Sequence, residues 1–185
     1  MSTTATSSFK DPTSRHWKYI SMAADTAISK STTVEQIGAV LRVSSATTAK
    51  GASKWERQTV NGSVLAMSMH AETEVLRLHS LHNKRMFRHL LKKNATITHT
   101  NSIIYIARAS VNGGSIKYKL AQPCIMCLRM MWLYGIRWVC FTINDHEFRL
   151  IRVRDLLAEP AYTTRGTIRL NNMISYNKYS KLFGL

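Results

Sequence analysis

The sequence predicts an α/β protein whose sheet contains at least one parallel pair of strands. Two apolar segments, 102–110 and 138–143, have the length and composition of buried strands. A helix is predicted between them at 124–134, because Pro123 suits a first helical turn and Gly135 suits a helix end. A strand–helix–strand unit of this kind implies parallel strands joined by a right-handed crossover.

The chain before this unit predicts a helix and a hairpin. Apolar residues recur at helical spacing over 15–30. The apolar segment 37–43 predicts a buried strand, and the polar segment 44–53 predicts a loop. We expect a second strand at 54–60 to pair with the first and to end at the turn dipeptide Asn61-Gly62.

A further helix is predicted to begin near His70, with Ser68 as its N-cap, and to continue to about residue 93. Its second half, 84–93, is amphipathic and strongly basic. That pattern has two interpretations: a ridge that contacts phosphates, or a charged outer face over an apolar seam.

The length of 185 residues predicts one domain. We expect a disordered N-terminal tail at 1–15, because this segment is mostly Ser and Thr, and a single domain over 16–185. Within that domain, a basic extension occupies about 84–100 and a C-terminal tail occupies about 160–185.

Charge and cysteine content restrict the class of protein. The chain has 26 Lys and Arg against 10 Asp and Glu, a net charge of +16, which attracts polyanions without distinguishing a nucleotide from a nucleic acid. The sequence contains no apolar run near the ~20 residues that span a bilayer, and no secretory signal pattern. Its three cysteines do not suggest a disulfide framework, and Cys140 lies in a strand pattern that predicts burial. We therefore expect an intracellular protein, cytoplasmic or nuclear, with no membrane partner.

Residues suited to metal chemistry concentrate in two segments, Met-His-Ala-Glu and Gln-Pro-Cys-Ile-Met-Cys. They supply the imidazole of His70, the thiols of Cys124 and Cys127, and the carboxylate of Glu72. One nitrogen and two sulfur ligands suit tetrahedral Zn²⁺ and leave a fourth position for water, as in catalytic zinc sites. The carboxylate of Glu72 is then the natural base for that water.

The pairing of H-x-E with P-C-x-x-C is the signature of zinc deaminases. At these residues the chain resembles the cytidine and deoxycytidylate deaminase superfamily, over about residues 16–150. The resemblance implies a three-layer fold with a mixed five-stranded sheet and helices on both faces. It also implies that His70, Cys124 and Cys127 hold Zn²⁺, and that Glu72 carries a proton to the ring nitrogen while ammonia leaves.

The resemblance extends to the substrate pocket. It implies that the backbone amide of Ala71 and the segment Gln122-Pro123 line the pocket for the base. Asn61 matches a nucleoside-binding residue at the end of the second strand, or else is simply a turn residue. One departure is the length of 73–122, fifty residues between the two motifs, which is longer than in compact family members and puts a free nucleoside substrate in doubt.

Three functions stay open at this point. The first is deamination of a cytosine base in a nucleotide, with deoxycytidylate the leading candidate, by a monomer or a homo-oligomer. The second is deamination within single-stranded DNA or RNA, which the basic surface favours. The third is a non-catalytic role in binding nucleic acid or in structure, against which Glu72 argues because structural zinc does not need it.

Overall fold

The computed structural model describes residues 7–9, 15–44, 46–60, 63–82 and 99–160. In these ranges the chain forms, in order, β1 (Ser7–Phe9), α1 (Arg15–Lys30), β2 (Ile37–Val43), β3 (Ala46–Ala52), β4 (Lys54–Val60), β5 (Ser63–Met69), α2 (Ala71–His82), β6 (His99–Asn112), β7 (Ser115–Lys119), α3 (Ile125–Leu133), β8 (Ile136–Asn144), β9 (Glu147–Arg152) and α4 (Val153–Leu157).

The main sheet has the strand order β1-β9-β8-β6-β2-β3, and β7 pairs with β6 beside this path. The pair β6–β8 is parallel, as the strand–helix–strand pattern predicts, and the other pairs are antiparallel. The predicted mixed α/β sheet with helices on both faces is confirmed. The sheet has seven strands rather than five, because β1 adds to one edge and β7 pairs with the far end of β6.

Each face of the sheet is covered by its own apolar core. On one face, α1 packs on side chains of the central strands; its buried residues include Ile20, Ala23, Ala24 and Ala27, and those of the strands include Val40, Tyr105, Cys140 and Phe148. On the other face, α2, α3 and α4 share a second core that includes Leu41, Val75, Ile104, Ile106, Leu128, Met131, Phe141 and Leu156. Cys140 is fully buried, as its strand pattern predicts. Among the described helices, none has the length and apolar character needed to cross a membrane.

The prediction of a loop at 44–53 is wrong, and so is the predicted pairing of 54–60 with the first strand. The segment Ala46–Ala52 is β3, which pairs with β2, whereas β4 pairs with β5 in a separate two-stranded sheet. The polar composition of β3 follows from its place at the sheet edge, where only Gly51 and Ala52 are buried. An edge strand of this kind resembles a loop in sequence.

Several predictions fall wholly or partly outside the described residues. Helix α2 is described as far as His82, so the basic segment 84–93 and most of the extension 84–100 lie outside. Asn61 and the tail from residue 161 lie outside as well. In the tail predicted to be disordered, Ser7–Phe9 form β1, which pairs with β9.

Gly38 allows α1 to lie unusually close to β2. A Cβ atom at this position would lie 2.0 Å from the carbonyl oxygen of Ala23 and 2.6 Å from the backbone nitrogen of Ala27. Both atoms belong to the backbone of α1, so they cannot move aside as a flexible side chain would. The two elements therefore meet at a distance that only glycine permits.

We expect Gly38→Ala to lower the free energy of unfolding by about 3 kcal/mol, because α1 must shift away from the sheet. Urea denaturation followed by circular dichroism measures this loss. Gly113→Ala is the control: Gly113 has φ 56° and nothing near its missing Cβ, so its loss should be only about 1 kcal/mol. Equal losses in the two variants would contradict the close packing at Gly38.

Candidate metal centre and active site

Two helices begin at the candidate site. The backbone N–H of Glu74 donates to the carbonyl oxygen of His70 at 3.0 Å, and that of Leu128 donates to the carbonyl oxygen of Cys124, also at 3.0 Å. His70 and Cys124 are therefore the residues that precede the first turns of α2 and α3. The prediction of Ser68 as the N-cap is wrong, because Ser68 belongs to β5. The positive ends of both helix dipoles lie at the site, where they favour thiolates.

The side chains of His70, Cys124 and Cys127 meet in this space. Nδ1 of His70 lies 3.6 Å from Sγ of Cys124 and 3.3 Å from Sγ of Cys127. The ligand atoms of all three residues lie within 4.8 Å of one another. Tetrahedral zinc with its usual bond lengths separates a nitrogen ligand from a sulfur ligand by about 3.6 Å. The donor set and its spacing therefore fit Zn²⁺.

Burial and mutual hydrogen bonding set the protonation of these groups. Cys124 and Cys127 are 2% and 3% exposed. The hydrogen bond with Cys124 raises the pKa of His70 to about 9, against the effect of burial. The hydrogen bond from Cys127 lowers the pKa of Cys124 to about 4, and its own role as donor raises the pKa of Cys127. These shifts favour negative charge on Cys124 beside positive charge on His70, and a cation bound by the three residues would displace protons from them.

Glu72 lies in the same buried space. Its side chain is 5% exposed, and burial raises the pKa of its carboxyl group. The neighbouring His70 acts in the opposite direction on this pKa, but the effect of burial is larger. Positions two apart do not share a face within a helix, but the first turn of α2 brings both His70 and Glu72 to the site. A carboxylate of raised pKa beside a metal-ligand set is suited to proton transfer.

Two residues that no sequence pattern singles out support the cysteines. The hydroxyl of Thr73 lies 3.8 Å from Sγ of Cys127. Thr142, fully buried on β8, donates its hydroxyl to the carbonyl oxygen of Lys119 at 2.7 Å and accepts the backbone N–H of Ala121 on its own carbonyl at 2.9 Å. Thr142 thereby fixes the chain just before the Gln-Pro-Cys segment. Threonine is common in strands, so the sequence around Thr142 does not indicate this role.

A buried ion pair attaches the start of α2 to the neighbouring strands. Glu74 is 1% exposed, and its carboxylate accepts hydrogen bonds from Nζ of Lys54 at 3.0 Å and from Nε of Arg77 at 2.7 Å. Beside it, a Cβ atom on Gly51 would lie 2.7 Å from the backbone nitrogen of Val75. The ion pair and this close approach together determine where His70 lies.

The remaining predicted site residues are placed as follows. Ala71 is fully buried and is the first residue of α2. Gln122 is half-buried and Pro123 is buried, and both lie immediately before Cys124. Asn61 lies outside the described residues. Ala71, Gln122 and Pro123 are adjacent in sequence to the candidate ligands, and their role in binding the base stays a prediction.

Comparison with known proteins gives little beyond a partial likeness in structure. No protein-family model matches the chain, and no curated protein matches it. Among solved structures, the chain is similar to the dCMP deaminase from the cyanophage S-TIM5 in apo form, with a TM-score of 0.42 and 16% identity over 77% of this chain and 89% of that one. The dCMP deaminase from the same phage in complex with dCMP and dUMP gives a TM-score of 0.40 and 17% identity over 68% and 78%. Similarity at this level identifies no substrate for the present chain.

We expect Glu74→Gln to destabilise the fold in a pH-dependent way. Burial alone would raise the pKa of Glu74, but the hydrogen bonds from Arg77 and Lys54 hold it below its usual 4.5. The ionised carboxylate therefore stabilises the fold above pH 4.5, and this stabilisation is lost as the pH falls further. Near neutral pH the variant should lose about 2 kcal/mol of unfolding free energy, a value reduced by the partial exposure of both cations.

Urea denaturation at several pH values tests this expectation, and the difference from wild type should narrow in acid. Glu35→Gln is the matched control. Glu35 pairs with Arg108 at 2.9 Å, but its side chain is 60% exposed, so its loss should be within about 0.5 kcal/mol. A deficit for Glu74→Gln that stays constant down to strongly acid pH would show that the charge is not its cause.

Proposed function

We propose that this protein is a zinc-dependent hydrolytic deaminase that acts on the cytosine base of a nucleotide, with deoxycytidylate the first candidate. The observation that carries the proposal is the convergence of one imidazole nitrogen and two thiol sulfurs around a space that also contains the buried carboxylate of Glu72. A structural zinc site has four protein ligands, whereas three ligands with an adjacent carboxylate are typical of a catalytic site. The cytosine assignment follows the resemblance of the two motifs to zinc deaminases.

His70, Cys124 and Cys127 would hold the metal through Nδ1 and the two Sγ atoms. Bound Zn²⁺ makes water available as a nucleophile at neutral pH. The chain assists by presenting two helix N-termini, which favour the thiolate forms of the cysteines. Both cysteines are almost completely buried, so bulk water would not compete with their sulfur atoms as a metal ligand.

Glu72 would transfer the protons of the reaction. Its carboxylate takes a proton from the attacking water, and the carboxylic acid then donates it to the ring nitrogen next to the amino-bearing carbon. A C–O bond forms at that carbon. The Glu72 carboxylate then takes the second proton from the new hydroxyl group and gives it to the amino group, the C–N bond breaks, and ammonia leaves while the hydroxyl oxygen becomes the carbonyl oxygen of the product. The raised pKa of this buried carboxyl group supports the role, because such a group takes up a proton more readily than an ordinary carboxylate does.

The base would lie against the starts of α2 and α3. We propose that the backbone amide of Ala71 and the segment Gln122-Pro123 contact the base, and that Asn61 contacts the sugar. Ala71 and Pro123 are buried, so they would exclude water from one side of the ring. Half-buried Gln122 offers an amide that can both donate and accept hydrogen bonds.

A deamination screen tests the proposal. The zinc-loaded full chain is incubated with deoxycytidylate, cytidine, cytosine, adenylate, guanylate, and cytosine-containing single-stranded DNA and RNA, and the products are measured by mass spectrometry. We expect conversion of a cytosine mononucleotide with release of ammonia. Glu72→Gln should retain zinc and lose about a thousandfold in kcat, because the amide cannot accept the proton. Conversion only within a strand, conversion of a purine only, or normal turnover by Glu72→Gln would each overturn part of the proposal.

We expect Cys124→Ala to lose bound zinc and to have a lower melting temperature in the presence of zinc, because only two ligands remain. Metal content by atomic emission and thermal denaturation with and without zinc measure both effects. Cys140→Ala is the matched control, because Cys140 is equally buried but lies in the core beside α1. Full zinc occupancy in Cys124→Ala, or loss of zinc in Cys140→Ala, would contradict the ligand set.

A further inference from the structure

Four side chains form a line across the sheet on the face that carries α1. The strand registers pair Arg42 of β2 with Ile103 of β6, Ile103 with Trp138 of β8, and Trp138 with Arg152 of β9. Directly paired residues project from the same face of a sheet. Ile103 and Trp138 belong to the core that α1 covers, so the whole line lies on that face. At about 4.8 Å between strands, the two arginines lie about 14 Å apart.

Each arginine of this line is held against an aromatic ring. The guanidinium carbon of Arg152 lies 5.3 Å from the ring centroid of Trp138. That of Arg42 lies 5.6 Å from the ring centroid of Tyr19, which projects from α1. Tyr19 in turn stacks on buried Tyr105 at 4.8 Å. We call Tyr19, Arg42, Trp138 and Arg152 the arginine–aromatic row; all four are half-buried, so part of each side chain reaches solvent.

The two arginines of this row differ from four other described arginines, which have carboxylate partners. Four arginines have carboxylate partners: Arg77, Arg108, Arg149 and Arg154. Within the described ranges, Arg42 and Arg152 form no such ion pair, and their guanidinium groups face rings instead. Arg42 also forms a side-chain hydrogen bond with Tyr105. No described carboxylate neutralises either charge, and the exposed part of each guanidinium group can contact an external anion.

We propose that the arginine–aromatic row binds single-stranded nucleic acid. Arginines some 14 Å apart can each contact a phosphate of one extended strand, and the half-exposed ring of Trp138 offers a surface on which a base stacks. Tyr19 lies between Arg42 and Tyr105 and supports the guanidinium group. Stacking requires unpaired bases, which a duplex does not present, and an acidic polypeptide would not use the ring of Trp138. The net charge of +16 adds long-range attraction for such a strand.

This binding surface is separate from the proposed catalytic site. His70, Cys124 and Cys127 lie at the starts of α2 and α3, which pack on the other face of the sheet. A strand bound on the row therefore does not place its bases beside Glu72. The proposal holds whether or not the protein is a deaminase, and it assigns the row to recruitment of nucleic acid rather than to the reaction.

Fluorescence anisotropy with a labelled oligothymidylate of twenty nucleotides tests the proposal. Thymine carries no amino group, so the probe cannot be deaminated and the result is independent of the proposed function. The full-length, zinc-loaded protein should bind the probe, and Arg42→Gln/Arg152→Gln should weaken binding at least about tenfold. It should also reduce the slope of log K against log salt by about 1.4, the value for two phosphate contacts on a single strand.

Arg108→Gln/Arg154→Gln is the matched control, since it removes the same charge from arginines that already have carboxylate partners. Its affinity should change less than threefold. Trp138→Ala should lose about five- to hundredfold, whereas Trp138→Phe should retain most of the binding because it preserves a stacking ring. Thermal melts identify any variant that fails to fold. If Trp138→Ala does not fold, the comparison of the two double-arginine variants decides the test.

Three results would overturn the proposal. The first is an equal loss of affinity in the two double-arginine variants, which would show that binding depends on total charge rather than on this row. The second is unchanged binding by a folded Trp138→Ala, which would exclude stacking. The third is equal or tighter binding of a duplex of the same length, or of polyglutamate, which would assign the row to a different partner.

Discussion

The fold is organised around four reactive groups that share one buried space. His70 and Cys124 lie 54 residues apart in the chain, yet their side chains are within hydrogen-bonding distance. An imidazole, two thiols and a carboxylate removed from water must compensate one another's charge, because an isolated buried charge is costly. The structure meets this requirement with two helix N-termini, which bring positive partial charge to the thiolate, and with hydrogen bonds among the four groups.

The position of these groups depends on contacts on either side of the site. On one side, the ion pair of Glu74 and the close approach at Gly51 attach α2 to β3 and β4. On the other, Thr142 connects β8 to the chain that enters the Gln-Pro-Cys segment. Since His70 and Cys124 immediately precede their helices, any shift of a helix moves its ligand directly. The geometry of the site is thus set by packing of whole elements more than by side-chain rotamers.

The sequence predicted the features that are encoded in short segments of the chain. Apolar runs predicted the buried strands, and the helix between 102–110 and 138–143 predicted the parallel pair. Two motifs predicted which side chains would meet. The sequence did not predict β3, because an edge strand with one covered end has the composition of a loop. It also did not reveal Thr142 or the arginine–aromatic row, because both depend on the register between strands distant in the chain.

Strand β6 extends beyond its pairing with β8, and this extension is a place where the chain can accept inserted residues. The two strands stay paired as far as Ile106 and Phe141, after which β6 continues into a hairpin with β7. Thr142 joins both strands of that hairpin at its base, through Arg108 and Lys119. The tip, at Gly113 and Gly114, has open space around it. Residues inserted at the tip would leave the base of the hairpin in place, and with it the candidate ligands Cys124 and Cys127 that follow in the chain. A tag or fluorophore can therefore be introduced at the tip.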